Sequence, residues 1–167
     1  MAEQSTIRVL GIDPGFGRIG WGVIEGRKDV WKHIAHGCIE TCANEPFVER
    51  LAHLHTALKQ IIATYGPDHA GVEDLFFSKN VSTGVQVAHA RGVIILTLVQ
   101  AGLAISEPTP VQVKQAMTGY GRAEKRQVQN MVHMTLGVSK EERQDDALDA
   151  LAVAFTAGVA LDMEKRC

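Results

Sequence analysis

Four carboxylates stand out by type and place. Asp13 closes the apolar run Ile7-Arg8-Val9-Leu10-Gly11-Ile12 just before a Pro14-Gly15 turn, and Glu73 closes the shorter run Ala70-Gly71-Val72. Asp146 and Asp149 lie three residues apart, which on a helix is one face. Acids gathered at the edge of a core repel one another and are costly there unless protonated or neutralised by a cation. Converging acids without matching Lys or Arg suit a hard ion such as Mg²⁺, which takes few carboxylates and completes its shell with water and phosphate oxygens. Two such ions about 3.5–4 Å apart activate a water and stabilise the leaving oxygen in phosphodiester hydrolysis. Each acid alone has an ordinary explanation. Turn capping accounts for Asp13, and an edge carboxylate like neighbouring Asp74 accounts for Glu73. N-capping and the helix dipole account for Asp145 and Asp146, and a solvated position accounts for Asp149. Only the set points to a metal site.

Other chemistries find less support. His33, His36, His69, His89 and His133 show no metal spacing, and His53 and His55 read as surface groups of an amphipathic helix. No Ser/His/Asp arrangement is legible, and no G-x-x-x-x-G-K-[ST] phosphate loop occurs.

The elements that must position the acids follow from periodicity. Residues 7–13, 18–25 and 30–41 read as three strands joined by short turns, an antiparallel meander with a bulge expected at Gly37. Apolar residues at 47, 51, 54, 58, 61 and 62 fall on one helical face, ended by Gly66-Pro67. Strand 70–73, a helix capped at Ser82 or Thr83 and running to Gln100, and strand 104–106 follow. Helices then start at Thr109-Pro110, at Ala123 and near Asp145, the last reaching about Leu161. The helix crossovers imply parallel strand pairs, so the predicted fold is α/β: a five-stranded mixed sheet flanked by helices. This is the element order of the ribonuclease H-like fold. The helix ending at Gln100 is apolar nearly all round over Val93–Val99, which suits either the core or a subunit contact.

Composition bounds the classes. The 167 residues, 46% apolar and 22% charged, suit one substantial core and exclude a disordered or collagen-like chain. We expect a single domain over 7–161, with a flexible lead-in at 1–6 and a flexible tail at 162–167. Three cysteines are an odd count for a disulfide framework and read as reduced thiols of a cytoplasmic protein. The first residues lack the basic start and apolar run of a signal peptide, and no apolar run reaches membrane-spanning length. The net charge of -2 conceals an asymmetry. From Lys79 to Lys140 there are seven basic residues and two acids, a surplus that can mark a nucleic-acid surface but that charge alone explains more simply as solvated helix faces.

Five stretches in order resemble the RuvC family of bacterial Holliday-junction resolvases. They are Leu10-Gly11-Ile12-Asp13-Pro14-Gly15, Val72 through Asn80, Ala90-Arg91-Gly92-Val93, Val113-Lys114-Gln115 through Ala123-Glu124-Lys125, and Asp146-Ala147-Leu148-Asp149-Ala150-Leu151-Ala152. The resemblance implies a ribonuclease H-like homodimer that nicks two strands of like polarity in a four-way DNA junction, leaving 5'-phosphate and 3'-hydroxyl ends. It puts the catalytic, metal-holding acids on Asp13, Glu73, Asp146 and Asp149, with two Mg²⁺ per site and Mn²⁺ as a substitute. Helix phase allows either Asp145 or Asp146 beside Asp149, and the family's Asp-x-x-Asp match favours Asp146. DNA-contacting lysines fall on Lys114 and Lys125 and a junction-probing aromatic on Phe76, with Phe77 as the competing neighbour. Lys79, Arg122 and Arg126 complete the expected DNA-binding set. Implied partners are junction DNA, a second copy of the chain, and the RuvA and RuvB branch-migration proteins, with no membrane. From its own apolar pattern the 82–100 helix is the candidate dimer contact, a monomeric core explaining the same pattern. Two competing readings are a non-catalytic junction-binding module and a related-fold nuclease acting on ribosomal RNA precursors. An actin-like ATPase shares the GIDPG opening but needs two lobes, more than 167 residues supply.

Overall fold

The computed structural model describes residues 6–28, 30–75, 81–141 and 144–164, without the side chains of 81, 82 and 164. Phe76, Phe77 and Lys79, the lead-in at 1–5 and the last three tail residues lie outside the described residues. Strands β1 (Ile7–Asp13), β2 (Arg18–Arg27) and β3 (Val30–Glu40) form the expected antiparallel meander. Helix α1 (Phe47–Tyr65) and its left-handed cap at Gly66 lead to β4 (His69–Val72), which pairs parallel to β1. Helix α2 (Val81–Gln100) crosses back to β5 (Ala104–Ser106), parallel to β4. The sheet order is β3-β2-β1-β4-β5. Helices α3 (Pro110–Thr118), α4 (Lys125–Leu136) and α5 (Asp145–Glu164) complete the described elements.

Strand alternation sorts the core onto two faces. Leu10, Ile12, Ile19, Val23 and Val72 point to the α1–α2 side and pack with Leu54, Leu58, Ile94 and Leu98. Val9 and Ile24 point to the other side, against α3, α4 and α5. On that second face the central strands carry glycine where they meet α5. Gly22, Gly11 and Gly71 stand side by side across β2, β1 and β4, and Gly20 lies opposite Asp13. A Cβ on Gly11 would overlap the Ala150 carbonyl oxygen, one on Gly20 the Asp146 carbonyl oxygen, and one on Gly22 would come within 2.6 Å of Leu151. With Ala147, Ala150, Ala154 and Ala157 on its facing side, α5 therefore lies directly on the sheet backbone, and all four alanines are buried.

Several expectations are corrected in detail. The bulge is not at Gly37. The register shifts between Val23 and Ile24, paired with Ala35 and His33, so Ile34 is the extra residue. Gly37 instead faces Trp21, where a Cβ would lie 3.0 Å from the indole. Helix α2 begins at Val81, so Ser82 and Thr83 lie inside it, and α4 begins at Lys125, with Ala123 buried in the turn before it. Helix α5 continues to Glu164, into the stretch expected as tail. His55 is not a plain surface group: its Nδ1 lies 2.8 Å from Thr97 Oγ1 and ties α1 to α2. No helix among the described residues is long and apolar enough to cross a membrane.

The close approach of α5 generates a graded expectation. Gly11→Ala meets backbone and should cost about 3 kcal/mol or more in urea unfolding. Gly71→Ala meets the Ala157 methyl at 2.9 Å, a neighbour better able to shift, and should cost about 1 kcal/mol. Equal costs would show that α5 can move off the sheet.

Candidate active site

The acids converge because strand ends and one helix start meet. Asp13 shares its strand face with Gly11 and so points toward α5. Glu73 lies one residue beyond β4, yet its N–H donates to the Ile12 carbonyl at 3.1 Å, continuing the parallel ladder by one bond. That bond sets Glu73 beside Asp13, at the carboxyl ends of adjacent parallel strands, where ligands gather in open α/β sheets. Above them α5 begins at Asp145, with Asp145 and Asp146 in its first turn and the helix dipole favouring negative charge there. Asp13, Asp146 and Asp149 each offer a carboxylate oxygen, all within 4.8 Å of one another. Asp145 is not in that group; its side chain is 64% exposed, against 34% for Asp146.

Two helices bring the lysines. Helix α3 starts on a Thr109–Gln112 capping box with Pro110 in its first turn, and it carries Lys114. Helix α4 starts on a Glu124–Gln127 box that fixes Lys125 as its first residue. Glu73, Lys114, Lys125, Val128, Asp149 and Ala152 line one cleft. Lys125 Nζ lies 2.7 Å from Asp149 Oδ2 and 4.0 Å from Asp145 Oδ2. Arg122 and Arg126 are exposed, on the turn before α4 and in its first turn, outside the cleft lining.

The acids are not without basic partners, contrary to the expectation from sequence. Besides the Lys125–Asp149 pair, Arg18 Nε lies 3.4 Å from Asp146 Oδ2 and 3.3 Å from Glu40 Oε1. Arg18 opens β2 just past the Gly15 turn, and its one sequence signal is that nearness to Asp13. Among the described residues, Asp13 and Glu73 make no ion pair. Burial pushes the Asp13 carboxyl up to about 8, helped by the charges of Glu73, Asp149 and Asp146 and opposed by Lys125. Burial and Asp149 push Glu73 up to about 7 against Lys114 and Lys125. Burial likewise raises Asp149, though Lys125 opposes it. For Lys125, burial acts downward, but the hydrogen bond and charge of Asp149 carry it upward. Two ion-paired bases, Arg18 and Lys125, with Lys114 acting on Glu73 from a distance, therefore leave the four acids uncompensated, most of all at Asp13. An all-oxygen donor set with a buried, uncompensated carboxylate fits a hard divalent cation.

Comparison with known proteins agrees with this geometry. The sequence model of the family described as crossover junction endodeoxyribonuclease RuvC matches residues 9–157. The chain belongs to the RuvC family. The crossover junction endodeoxyribonuclease RuvC of Roseiflexus sp. is 47% identical over 163 residues, covering 98% of this chain and 97% of the relative. That of Caldicellulosiruptor saccharolyticus is 52% identical over 150 residues, covering 89% and 90%. The solved structure of T. thermophilus RuvC in complex with Holliday junction substrate superposes with a TM-score of 0.89 at 30% identity, covering 95% of this chain and 96% of that one. The five-stranded mixed sheet with its flanking helices is thus the RuvC form of the ribonuclease H-like fold, and the chain is a nuclease of that family.

The raised acids set the sign of a pH effect. The folded, metal-free protein holds protons on Asp13 and Glu73 up to about pH 8 and 7, where the unfolded chain has already released them. More protons bound in the folded state means stability falls as pH rises from about 4 to about 8. In EDTA at pH 8, Asp13→Asn should raise stability by at least about 1 kcal/mol, roughly 2–4 °C in Tm. The gain should shrink toward pH 5. A variant less stable than the parent at pH 8 would mean that Asp13 is satisfied without a cation.

Proposed function

We propose that this chain resolves Holliday junctions as a metal-dependent endonuclease, with residues 7–161 as its nuclease domain. The observation that carries the reading is the convergence of Asp13, Asp146 and Asp149 at the end of β1, with Glu73 beside them and Lys114 and Lys125 across the cleft. Asp13, Asp146 and Asp149 would hold Mg²⁺, with Glu73 completing a two-ion set and Mn²⁺ as a substitute. When bound, such ions make a water nucleophilic near neutral pH and offset charge building on the phosphate. The water oxygen attacks phosphorus, the bond to the 3'-oxygen breaks, and the ends left are a 5'-phosphate and a 3'-hydroxyl. Lys114 and Lys125 bind backbone phosphates of the substrate strand. Lys125 lies 2.7 Å from Asp149 Oδ2, so a cation held by Asp149 would compete with that pairing and leave the ammonium available to a phosphate. Arg122 and Arg126 extend the basic surface past the cleft mouth, and Phe76 and Lys79, which follow Glu73 in sequence, complete the proposed DNA-binding set.

A four-way junction has near two-fold symmetry, which a homodimer matches with one site per arm pair. The contact we assign is α2. Its buried side, Ala90, Ile94 and Leu98, faces the core, while Val85, Leu96 and Val99 are about half exposed. An open groove of Leu51, Ala88, His89, Gly92, Val93 and Leu96 runs along it. Cooperation with the RuvA and RuvB branch-migration proteins and a cytoplasmic location belong to the same proposal.

Incubation with a synthetic four-way junction and a linear duplex, in Mg²⁺ or EDTA, tests the reading. Asp13→Asn, Glu73→Gln and Asp149→Asn should each slow junction cutting at least about 100-fold while retaining junction binding. Asp146→Asn should be inactive and Asp145→Asn largely active. Cutting in EDTA, or equal cutting of the duplex, would overturn the proposal; binding without cutting by the unmodified chain would favour a non-catalytic junction-binding module. Lys114→Ala and Lys125→Ala should each weaken binding and reduce the salt slope by about 1. An unchanged slope would take these lysines out of the phosphate interface.

A further inference from the structure

Arg91, on α2, is a basic residue of the central stretch that belongs neither to the acid cluster nor to the cleft lining. Its side chain is only 16% exposed, whereas its partners Asp74 and Glu107 are about half exposed. Its guanidinium lies 3.5 Å from Asp74 Oδ1 and pairs with Glu107 Oε2, and its Nε donates to the Glu73 carbonyl oxygen at 3.4 Å. The Asp74 N–H donates to the Pro108 carbonyl at 2.9 Å, and Asp74 Oδ1 accepts from the Leu75 N–H at 2.9 Å. One largely buried cation thus ties together α2, the chain leaving β4 at Glu73-Asp74 and the chain leaving β5 at Glu107-Pro108.

The need for such a tie follows from where Glu73 sits. It stands past the last residue of β4, held to the sheet by the single N–H bond to Ile12. Asp13, by contrast, is the last residue of β1 and still pairs with Gly20 of β2, and Asp146 and Asp149 belong to the packed helix α5. Of the four acids, Glu73 has the least regular backbone support, and a ligand set tolerates little positional error. We propose that Arg91 is a positioning residue for Glu73, fixing the main chain at the β4 exit so that the carboxylate stays in register with Asp13 and Asp149. The planar guanidinium suits this role because its donors point several ways at fixed angles, which a lysine ammonium does not reproduce. The inference rests on Glu73 being one of the cation-holding acids.

The test measures Mn²⁺ affinity by calorimetry beside single-turnover junction cleavage, on the full-length chain. Arg91→Ala should weaken Mn²⁺ binding about 10-fold and slow cleavage about 10–100-fold, the range for losing a group that orients a ligand. Junction binding in EDTA should change less than about 2-fold, since phosphate contacts are untouched. Glu107→Gln, which removes one of the anchors, should shift Mn²⁺ affinity the same way by a smaller factor, and Arg91→Lys should fall between parent and Arg91→Ala. In a Glu73→Gln background, Arg91→Ala should add nothing, because both changes act through one carboxylate. Parental Mn²⁺ affinity in Arg91→Ala, or an undiminished effect of it in the Glu73→Gln background, overturns the proposal. If Arg91→Ala does not fold, parental Mn²⁺ affinity in both Arg91→Lys and Glu107→Gln overturns it equally. Should Glu73→Gln alone leave Mn²⁺ affinity unchanged, the assignment of Glu73 to the cation site is what fails, and the role of Arg91 falls with it.

Discussion

The site depends on how closely α5 can lie on the sheet. Gly11, Gly20 and Gly22 present bare backbone to that helix, and any side chain at Gly11 or Gly20 would occupy the space of its carbonyl groups. Glycine in a strand interior weakens the strand, since it carries no side chain to pack and loses more entropy on folding. Here that cost is offset by contact between a helix and a sheet with little between them. The consequence is functional. Asp146 and Asp149 belong to the first two turns of α5, and Asp13 belongs to the strand beneath. A helix held off the sheet by ordinary side chains would carry its acids away from Asp13, and the shared set of carboxylate oxygens within 4.8 Å would not form.

That same closeness creates an electrostatic problem which the rest of the site addresses in part. Acids on buried backbone elements lose hydration and repel one another, which is why Asp13 and Glu73 hold protons far above the usual carboxylate range. Lys125 pairs with Asp149 and Arg18 with Asp146, both side chains about half exposed. Neither base forms an ion pair with Asp13. The arrangement keeps a deficit of positive charge at one place, so affinity for a divalent cation and stability of the metal-free fold are opposed. The basic surplus of the central stretch is also less uniform than its count suggests. Lys114 and Lys125 face the cleft, Arg122 and Arg126 face solvent, and Arg91 is folded inward as a structural cation.

Much of the scaffold was legible because its signals are local. Alternation in Ile7–Asp13, the 3–4 spacing of α1 and the Thr109-Pro110 and Gly119 punctuation of α3 are short-range patterns, and the element order followed from them. Local patterns mislead where a distant partner overrides a local preference. Gly37 looked like a bulge residue but serves the Trp21 ring, and the extra residue is Ile34, which nothing nearby marks. His55 looked solvated on its own helix but meets Thr97 of the next. Val93–Val99 read as apolar all round, yet Ile94 and Leu98 are buried while Leu96 and Val99 are not, a division only the packing of α2 on the sheet creates.

By itself the sequence determined which acids lie at strand ends, which two share a helix face, and the resemblance that joins five separated stretches into one family. These are properties of residue type and spacing, and spacing is set by backbone geometry that every chain shares. Tertiary structure alone decided which acids meet, because Asp13 and Asp149 are 136 residues apart and only the descent of α5 onto the glycines of β1 and β2 brings their oxygens together. It alone decided that Asp146 rather than Asp145 joins them, since one helical step of about 100° separates a position over the sheet from one in solvent. It alone revealed Arg18, Lys125 and Arg91 as partners of particular carboxylates, because long side chains choose partners through space, and their spacing along the chain carries no record of that choice.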